Sequence, residues 1–391
     1  MKIAIIGCGY VADYYLQTAN KHQSIEIKSV FDIDAERLKN FCNYYSLDQA
    51  SDMNEILTDE EIELIINLTN PDQHYKINLD CLQSGKHVYS EKPIAMKFKE
   101  AKMLFEVAKE KNLKLYSAPC SYLSNTAETI KQVIKNKQIG NIRLVYACYD
   151  VAMTHKQNYS SWISPSGAKW PAKDEFEVGC TYEHAGYFLT WLSYFFGNAN
   201  SVSAFSSCLV KDKEIILGNN APDFTVGCIE YDNGVIARVT SSILAPTDKS
   251  LIIIGDEGSI YTKDIRNDNS PVYINKPRSN KVLNSLEAKI DYYIEKFESI
   301  FSWLPWSWGN IFRIQHKVRL KRKNKIQKSS KYKQVDFCLG LVEMIKNIDG
   351  NINEEFSSEM ALQVAEITEI LQYPERDMQS NKLNSVIKKI P

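Results

Sequence analysis

Residues 2–12 read KIAIIGCGYVA and decide the fold of the first half of the chain. An apolar run typical of a buried strand leads into Gly7 and Gly9, and a segment with helical periodicity follows at 11–19. In such a strand–turn–helix unit, the first glycine permits a tight turn and the second lets the backbone approach a pyrophosphate. Ala12 is small enough for close helix–strand packing. The stretch predicts a dinucleotide-binding turn with the phosphates at the helix N-terminus, although a tight turn without a ligand has the same pattern.

The alternation of apolar runs and amphipathic segments continues to residue 116. The predicted strands are 3–6, 25–31, 63–67, 87–90 and 113–116, and the predicted helices are 11–19, 35–45, 74–83 and 97–111. This order is typical of an α/β Rossmann domain with a doubly wound parallel sheet, whose strands end at one ligand-binding edge. We place this domain at 1–120.

The pattern changes after residue 120. Alternating strands at 225–231 and 235–243 flank Asn233-Gly234, which is a strong hairpin signal. Further strands are predicted at 251–254 and 259–262, with helices at 126–135, 183–195, 337–346 and 358–371. We therefore predict that 121–391 forms an α+β domain with an antiparallel sheet.

The composition excludes several classes of function. The chain has 391 residues, a net charge of −1 and 44% hydrophobic residues, so no nucleic-acid partner is expected. Nine scattered cysteines show no C-x-x-C spacing, which argues against a metal site and fits a reducing compartment. No stretch approaches the roughly 20 apolar residues that span a bilayer. We expect a cytoplasmic protein.

Asp32 ends the second predicted strand. An acid at this position can accept hydrogen bonds from the adenosine ribose hydroxyls, and it would repel a 2′-phosphate. The sequence therefore favours NAD as the cofactor, with NADP as the alternative. We interpret Asp34 as a helix N-cap.

Residues 85–93 read GKHVYSEKP at the end of the fourth predicted strand. Lys92 would lie on the ligand edge, where an ammonium group can hydrogen-bond a substrate hydroxyl. Taken alone, Glu91-Lys92-Pro93 could equally be a solvated turn.

The glycine turn, Asp32 and the stretches 69–74 (TNPDQH) and 85–93 together resemble the Gfo/Idh/MocA oxidoreductases. The resemblance covers most of the chain except about 153–178 and 265–335. It implies a Rossmann domain followed by an open, mostly antiparallel sheet, whose outer face commonly builds homodimers or homotetramers. The residues expected at the cofactor are Gly7, Gly9, Tyr10, Val11, Asp32, Thr69, Asn70, Pro71, His74, Glu91 and Lys92.

The implied activity is hydride transfer between NAD(P) and a hydroxyl-bearing carbon of a sugar, polyol or nucleotide-sugar. Two alternatives remain open. One is an NAD-dependent glycoside hydrolase that uses transient oxidation, and the other is a catalytically silent nucleotide-binding regulator.

A second motif supplies the candidates for proton transfer. Many family members have D-x-G-x-H at the start of a helix, whereas this chain reads EHAGY at 183–187. By register, Glu183 takes the Asp position on the substrate side, and Tyr187 takes the position of the His acid/base. His184 is the rival because its ordinary pKa suits proton transfer, but it could also be a core residue.

The stretch 153–178 is expected on the substrate side. Trp162 and Trp170 could stack on a sugar ring, and Lys169 could hold a carboxylate or phosphate. Both indoles could equally pack this loop onto the sheet. The family often has an Arg after the fifth strand, and Tyr122 is a candidate replacement for it here.

An aromatic-basic insert at about 285–335 fits neither domain. Three tryptophans lie at 303, 306 and 308, and nine Lys or Arg residues follow between 317 and 333. Peripheral membrane contact through 289–333 is one interpretation. We prefer a solvated basic loop after an oligomer-packing helix.

Overall fold

The computed structural model describes residues 1–276, 316–319, 335–350 and 356–374. Most of the aromatic-basic insert lies outside these residues. Of the insert, the strand His316–Val318 and the residue that follows it are described. No helix within the described segments is long and apolar enough to cross a membrane.

The first domain is built on five parallel strands in the order β2-β1-β3-β4-β5. The strands are β1 (Lys2–Ile6), β2 (Glu26–Phe31), β3 (Leu64–Asn67), β4 (His87–Ser90) and β5 (Leu115–Ser117). The helices are α1 (Ala12–Ala19), α2 (Ala35–Tyr45), α3 (Met53–Thr58), α4 (His74–Gln83) and α5 (Phe98–Glu110). The doubly wound α/β prediction is confirmed, and α3 is an element that the periodicity did not indicate.

The central strands β1 and β3 are apolar on both faces because helices cover both sides of this sheet. The side chain of Asp34 accepts a hydrogen bond from the Arg37 amide at 3.0 Å and begins α2. The N-cap interpretation of Asp34 is therefore confirmed.

The second domain contains an eight-stranded sheet in the order β13-β12-β11-β10-β6-β9-β8-β7. Its strands are β6 (Ile142–Asp150), β7 (Ala199–Ser207), β8 (Phe224–Tyr231), β9 (Ile236–Ser242), β10 (Leu251–Gly255), β11 (Gly258–Thr262), β12 (Val272–Asn275) and β13 (His316–Val318). All neighbours are antiparallel except β6 and β9, which pair in parallel. The prediction of an open, mostly antiparallel sheet is confirmed.

One face of this sheet packs against helices, and the other, here called the open face, is covered by none of the helices that the structure describes. The helices of the chain's second half are α6 (Asn125–Lys135), α7 (Ala172–Val178), α8 (Cys180–Phe196), α9 (Leu339–Ile348) and α10 (Phe356–Gln372). Buried side chains of α6, α8 and α10 form one core with the inward face of the sheet. Trp191 anchors α8 there, and its indole N–H donates to Ser121 Oγ at 2.9 Å.

Helix α9 returns to the first domain. Its apolar stripe of Leu341, Met344 and Ile345, spaced for one helix face, packs into the same core as α1 and β1. Residue 120 therefore marks the change of sheet, but the second half as predicted (121–391) contributes a helix to the Rossmann core.

Candidate active site

A cleft of about 1500 Å³ lies between the carboxyl ends of the first sheet and the second domain. Every residue that the sequence placed at the cofactor lines this cleft, as do His184, Tyr187, Glu183, Trp162, Lys169 and Trp170. Tyr122 is the one predicted site residue that does not. The described segments contain no group of three or more His, Cys, Asp or Glu side chains placed to hold a metal ion.

The two glycines of the turn have different surroundings. Gly7 has a φ of +99°, and a Cβ there would lie 2.7 Å from the Leu68 carbonyl carbon. A Cβ on Gly9 would have nothing within 4 Å, because Gly9 borders the open cleft. The turn thus offers a backbone cradle that a dinucleotide pyrophosphate fits and that a side chain at Gly9 would fill.

The Asp32 carboxylate is buried and fully engaged. It accepts hydrogen bonds from the amides of Cys8 (2.7 Å) and Asp34 (2.8 Å) and from the Arg37 Nε (2.9 Å) and Nη2 (2.5 Å). Arg37 also lines the cleft. The ribose contact predicted for Asp32 must therefore compete with Arg37, whose cation also offsets the charge expected to repel a 2′-phosphate.

The loop after β3 is fixed by its own side chains. Asn67 Oδ1 accepts hydrogen bonds from the Thr69 amide (3.2 Å) and hydroxyl (2.7 Å). The buried His74 ring contacts the carbonyl oxygens of Pro93 (2.6 Å) and Thr69 (2.8 Å). His74 therefore joins the loops that follow β3 and β4, and its direct contact with a cofactor remains a prediction.

Glu91 supports the turn that carries Lys92. Its carboxylate accepts hydrogen bonds from the Tyr15 hydroxyl (2.8 Å) and from the Lys92 amide (3.0 Å). This arrangement fixes the backbone at the end of β4 and leaves the Lys92 ammonium free to reach across the cleft.

Lys92 forms an ion pair with Glu183 of α8, which joins the two domains. Burial opposes the charge of Lys92, but the neighbouring acids, Glu183 foremost, outweigh it and raise the pKa of Lys92 above its ordinary value. Lys92 therefore stays protonated and acts as a hydrogen-bond donor. A solvated turn, the other interpretation of this motif, is not what the structure contains.

Glu175 on α7 is a site residue that the sequence analysis missed. Burial and the neighbouring charge of Glu183 raise its pKa well above the ordinary range. Glu175 therefore holds its proton more strongly than an ordinary carboxyl group. Its position three residues from the end of a short helix gave no signal that distinguished it from a solvated acid.

Tyr187 and His184 share one aromatic neighbour, Tyr149 of β6. The Tyr149 ring centroid lies 4.8 Å from that of each residue. Burial, followed by the cations Lys92, Arg266 and Lys249, lowers the pKa of His184 well below its ordinary value. The imidazole is therefore neutral at physiological pH and a weak base.

The hydroxyl of Tyr187 has no hydrogen-bond partner among the described residues, and the ring lines the cleft. This hydroxyl is available to a substrate. Arg266, which the sequence analysis also missed, has its guanidinium carbon 5.3 Å from the Tyr187 ring centroid.

The substrate-side predictions have mixed outcomes. Trp162 and Trp170 form an edge-to-face pair with centroids 4.9 Å apart, and both line the cleft, as does the exposed Lys169. Tyr122 is buried in the core of the second domain, and its hydroxyl donates to Glu343 at 3.1 Å. The prediction for Tyr122 is corrected, because its position after β5 turns it towards α8 and α9 and away from the cleft.

Residues 151–171, here called the strap, cross from the second domain to the glycine turn. The amide and hydroxyl of Ser166 donate to the two carboxylate oxygens of Asp13 on α1, at 3.0 and 2.7 Å. Beyond the strap, Asn70 donates to Asp174 at 2.7 Å. The strap and α7 are therefore fastened to the cofactor side of the cleft.

A Rossmann sheet with this glycine turn and a Lys at the end of β4 defines the class of nicotinamide-dinucleotide oxidoreductases. Comparison with known proteins agrees. Residues 1–118 match the model of the oxidoreductase family with an NAD-binding Rossmann fold, and residues 127–261 match the GFO/IDH/MocA C-terminal domain. The chain belongs to the Gfo/Idh/MocA family, as its motifs indicated.

Two curated relatives illustrate the range of the family. One is scyllo-inositol 2-dehydrogenase (NADP(+)) of Bacillus subtilis, 24% identical over 52% of this chain and 54% of the relative. The other is the trans-1,2-dihydrobenzene-1,2-diol dehydrogenase of Bos taurus, 22% identical over 63% and 67%. The match thus spans only about half the length of the first relative.

Solved structures share the fold over nearly the whole chain. The WlbA dehydrogenase from Bordetella pertussis, solved with NADH and UDP-GlcNAcA, has a TM-score of 0.68 at 15% identity and covers 100% of this chain and 98% of its own. A 3-ketoreductase from Actinomadura kijaniata, solved with NADP and TDP-benzene, has a TM-score of 0.70 at 14% identity and covers 95% and 96%. Neighbours of this fold thus bind either nicotinamide cofactor.

Proposed function

We propose that the chain is an NAD(P)-dependent oxidoreductase that transfers a hydride to or from a hydroxyl-bearing carbon of a sugar, polyol or nucleotide-sugar. The observation that carries the proposal is the protonated Lys92, held by Glu183 beside the free hydroxyl of Tyr187, in the cleft that the glycine turn borders. These groups are what alcohol–carbonyl interconversion needs: a cation for the oxygen and a proton carrier.

The bound nicotinamide would supply or accept the hydride at its C4 atom. Lys92 hydrogen-bonds the reacting oxygen and stabilises negative charge that develops on it. Tyr187 takes up the hydroxyl proton in oxidation and returns it in reduction. Glu183 orients Lys92, and Glu175 in its protonated form holds Glu183 in place by a hydrogen bond.

Three observations support a sugar-like substrate. The Trp162–Trp170 pair presents aromatic surface to the cleft, on which a sugar ring can stack. The Bacillus relative is named for an inositol, and the WlbA structure contains a nucleotide-sugar. All three observations fit a substrate that contains a polyhydroxylated ring.

The test is substitution at the two reacting positions. Lys92→Ala and Tyr187→Phe should each lower turnover by about 10²–10⁴-fold, the usual contribution of a positioned acid or base. Binding of the reduced cofactor, followed by its fluorescence, should persist in both. Lys97→Ala and Tyr75→Phe, outside the cleft, are the matched controls.

The substrate screen uses nucleotide-sugars and polyols with NAD and with NADP. Unchanged rates in both Lys92→Ala and Tyr187→Phe would contradict the assignment. His184→Gln separates the rival proton carriers, and a loss there as large as that in Tyr187→Phe would contradict the role of Tyr187. Release of a free sugar without net cofactor reduction would indicate the glycoside hydrolase. Cofactor binding without any turnover would indicate the regulator.

We also propose that the open face of the eight-stranded sheet builds a homodimer or homotetramer. This face exposes apolar and aromatic side chains, including Phe205, which is 59% exposed, and Ile236, which is 37% exposed. Ile236→Asp should shift the mass measured by light scattering towards the monomer. The control is Ile216→Asp, because the Ile216 side chain lies in a loop and is 92% exposed. This substitution should leave the measured mass unchanged. A monomeric wild-type chain would contradict this proposal.

A further inference from the structure

Two cations face the substrate end of the cleft around Tyr149. Arg266 lies over the ring of Tyr187, and its Nη1 is 3.4 Å from the Tyr149 hydroxyl, which is a long hydrogen bond. The Lys249 ammonium lies 5.2 Å from the Tyr149 ring centroid. Both cations line the same cleft as Lys92.

Neither cation forms an ion pair with a carboxylate in the part of the chain that the structure describes. Within the described segments, every acid that forms an ion pair does so with another base, and no carboxylate oxygen lies within 4.0 Å of the guanidinium of Arg266 or the ammonium of Lys249. Asp264 accepts a hydrogen bond from the backbone amide of Arg266 at 2.9 Å and forms no ion pair with its guanidinium. Glu183, across the cleft, is paired with Lys92. Burial and Glu183 raise the pKa of Glu175, which disfavours its charged form.

The substrate end therefore carries an excess of positive charge. The neutral state of His184 is consistent with this field, since Lys92, Arg266 and Lys249 all act on its pKa in the same direction. A partly buried guanidinium without an anion is costly, and a bound anion that accepts its hydrogen bonds removes this cost.

The distance to the reacting centre narrows the class of anion. Arg266 lies over the ring of Tyr187, the proposed proton carrier, so an anion bound by Arg266 would lie close to the reacting carbon. A planar guanidinium pairs most strongly with a carboxylate, through two parallel hydrogen bonds. The geometry therefore favours a carboxylate on the ring that is oxidised or reduced.

We propose that Arg266, assisted by Lys249, binds a carboxylate of the substrate, which is then a uronic acid or a nucleotide derivative of one. This inference rests on the proposed function, because it takes Tyr187 as the reacting position. It adds a specificity-determining pair that the sequence motifs do not indicate.

The experiment compares matched pairs of ligands that differ in the carboxylate alone. UDP-glucuronate is compared with UDP-glucose, and D-glucuronate with D-glucose, by calorimetry on the full chain with reduced cofactor. The wild-type chain should bind the acid of at least one pair about tenfold to a hundredfold more tightly, as expected for charge-assisted hydrogen bonds. Arg266→Met should abolish this preference and Lys249→Met should reduce it.

Arg143→Met is the control, because Arg143 pairs with Asp256 on the surface and does not line the cleft. Equal binding within each pair, binding of no ligand, or a preference that survives in Arg266→Met would each overturn the inference. The result for Lys92→Ala separates this inference from the proposed function. If the wild type binds the acid more tightly but Lys92→Ala does not lower turnover, the proposed function is wrong and the carboxylate site stands. If Lys92→Ala lowers the turnover of neutral sugars but the acid is not bound more tightly, the carboxylate site is wrong and the proposed function stands.

Discussion

The cofactor end and the substrate end of the cleft differ in how their polar groups are partnered. At the cofactor end, Asp32 accepts four hydrogen bonds and His74 contacts two carbonyl oxygens. At the substrate end, the Tyr187 hydroxyl and the buried Nδ1 of His184 have no partner among the described residues, and Arg266 has one long hydrogen bond.

This difference separates two kinds of binding. At the cofactor end the polar side chains already have partners within the protein, so its geometry is complete before a ligand arrives. The substrate end holds charged and polar side chains whose partners must come from the ligand, and these side chains determine specificity. The following predictions test this contrast, from the largest expected effect to the smallest.

The largest effect should come from the two glycines of the turn. Gly7→Ala places a Cβ 2.7 Å from the Leu68 carbonyl at a positive φ, and should destabilise the fold by about 2–4 kcal/mol. Gly9→Ala meets no protein atom within 4 Å, so it should fold normally and weaken cofactor binding. Denaturant unfolding and cofactor titration distinguish the two. Equal stabilities would contradict the view that only Gly7 is a requirement of the fold.

Arg37 should set the choice of cofactor. Arg37→Ala removes a cation beside the adenosine ribose site and frees two acceptor positions on Asp32. We expect the affinity for NADPH to fall about tenfold, while that for NADH is maintained or rises. Fluorescence titration with both cofactors measures the ratio, with Lys39→Ala on the exposed face of α2 as control. An unchanged ratio would show that Arg37 only buttresses Asp32, and the predicted preference for NAD would then rest on Asp32.

The smallest effect should be the pH dependence that Glu175 gives to stability. The folded protein raises the pKa of this carboxyl through burial and Glu183, so its stabilising contribution is complete below the unfolded pKa of about 4.3 and is lost as pH rises towards the folded pKa. The Gln side chain of Glu175→Gln cannot ionise, so the variant does not lose stability in this way as the pH rises. Its amide can still donate a hydrogen bond to Glu183. We expect equal melting temperatures near pH 4.5 and a variant more stable by a few degrees at pH 8.

The exposed Glu106→Gln is the control for this comparison, because its surroundings are solvated. Parallel melting curves for Glu175→Gln and the wild type from pH 4.5 to pH 8 would mean that Glu175 is ionised in the fold. Lys92 would then face two charged carboxylates.

The sequence predicted the cofactor end better than the substrate end, for a physical reason. The roles of Gly7, Asp32 and Lys92 depend on short, local patterns in which strand, turn and helix are adjacent in the chain. Arg266 and Tyr149 come from distant strands and loops of the second sheet, and only the fold brings them to α8. Tyr122 was misplaced for the same reason, since its distance along the chain from β5 does not say which way its side chain points.

The same limit applies to the elements of the fold. Alternating or periodic segments such as α2, α4 and β4 have the predicted bounds. The short α3 has too few turns to show a period, and the return of α9 to the first domain is a long-range contact that no local pattern encodes.

The bond between Asp13 and Ser166 has a consequence for the order of events in turnover. A dinucleotide on the glycine turn would lie in a cleft whose wall includes the strap, and we expect its exchange to be faster when the strap separates from α1. A sugar that enters at the substrate end, beside Trp162 and Trp170, would need no such opening. One nucleotide molecule would then serve several sugars in succession, being reduced by one and reoxidised by the next, and the purified protein would carry its nucleotide through dialysis.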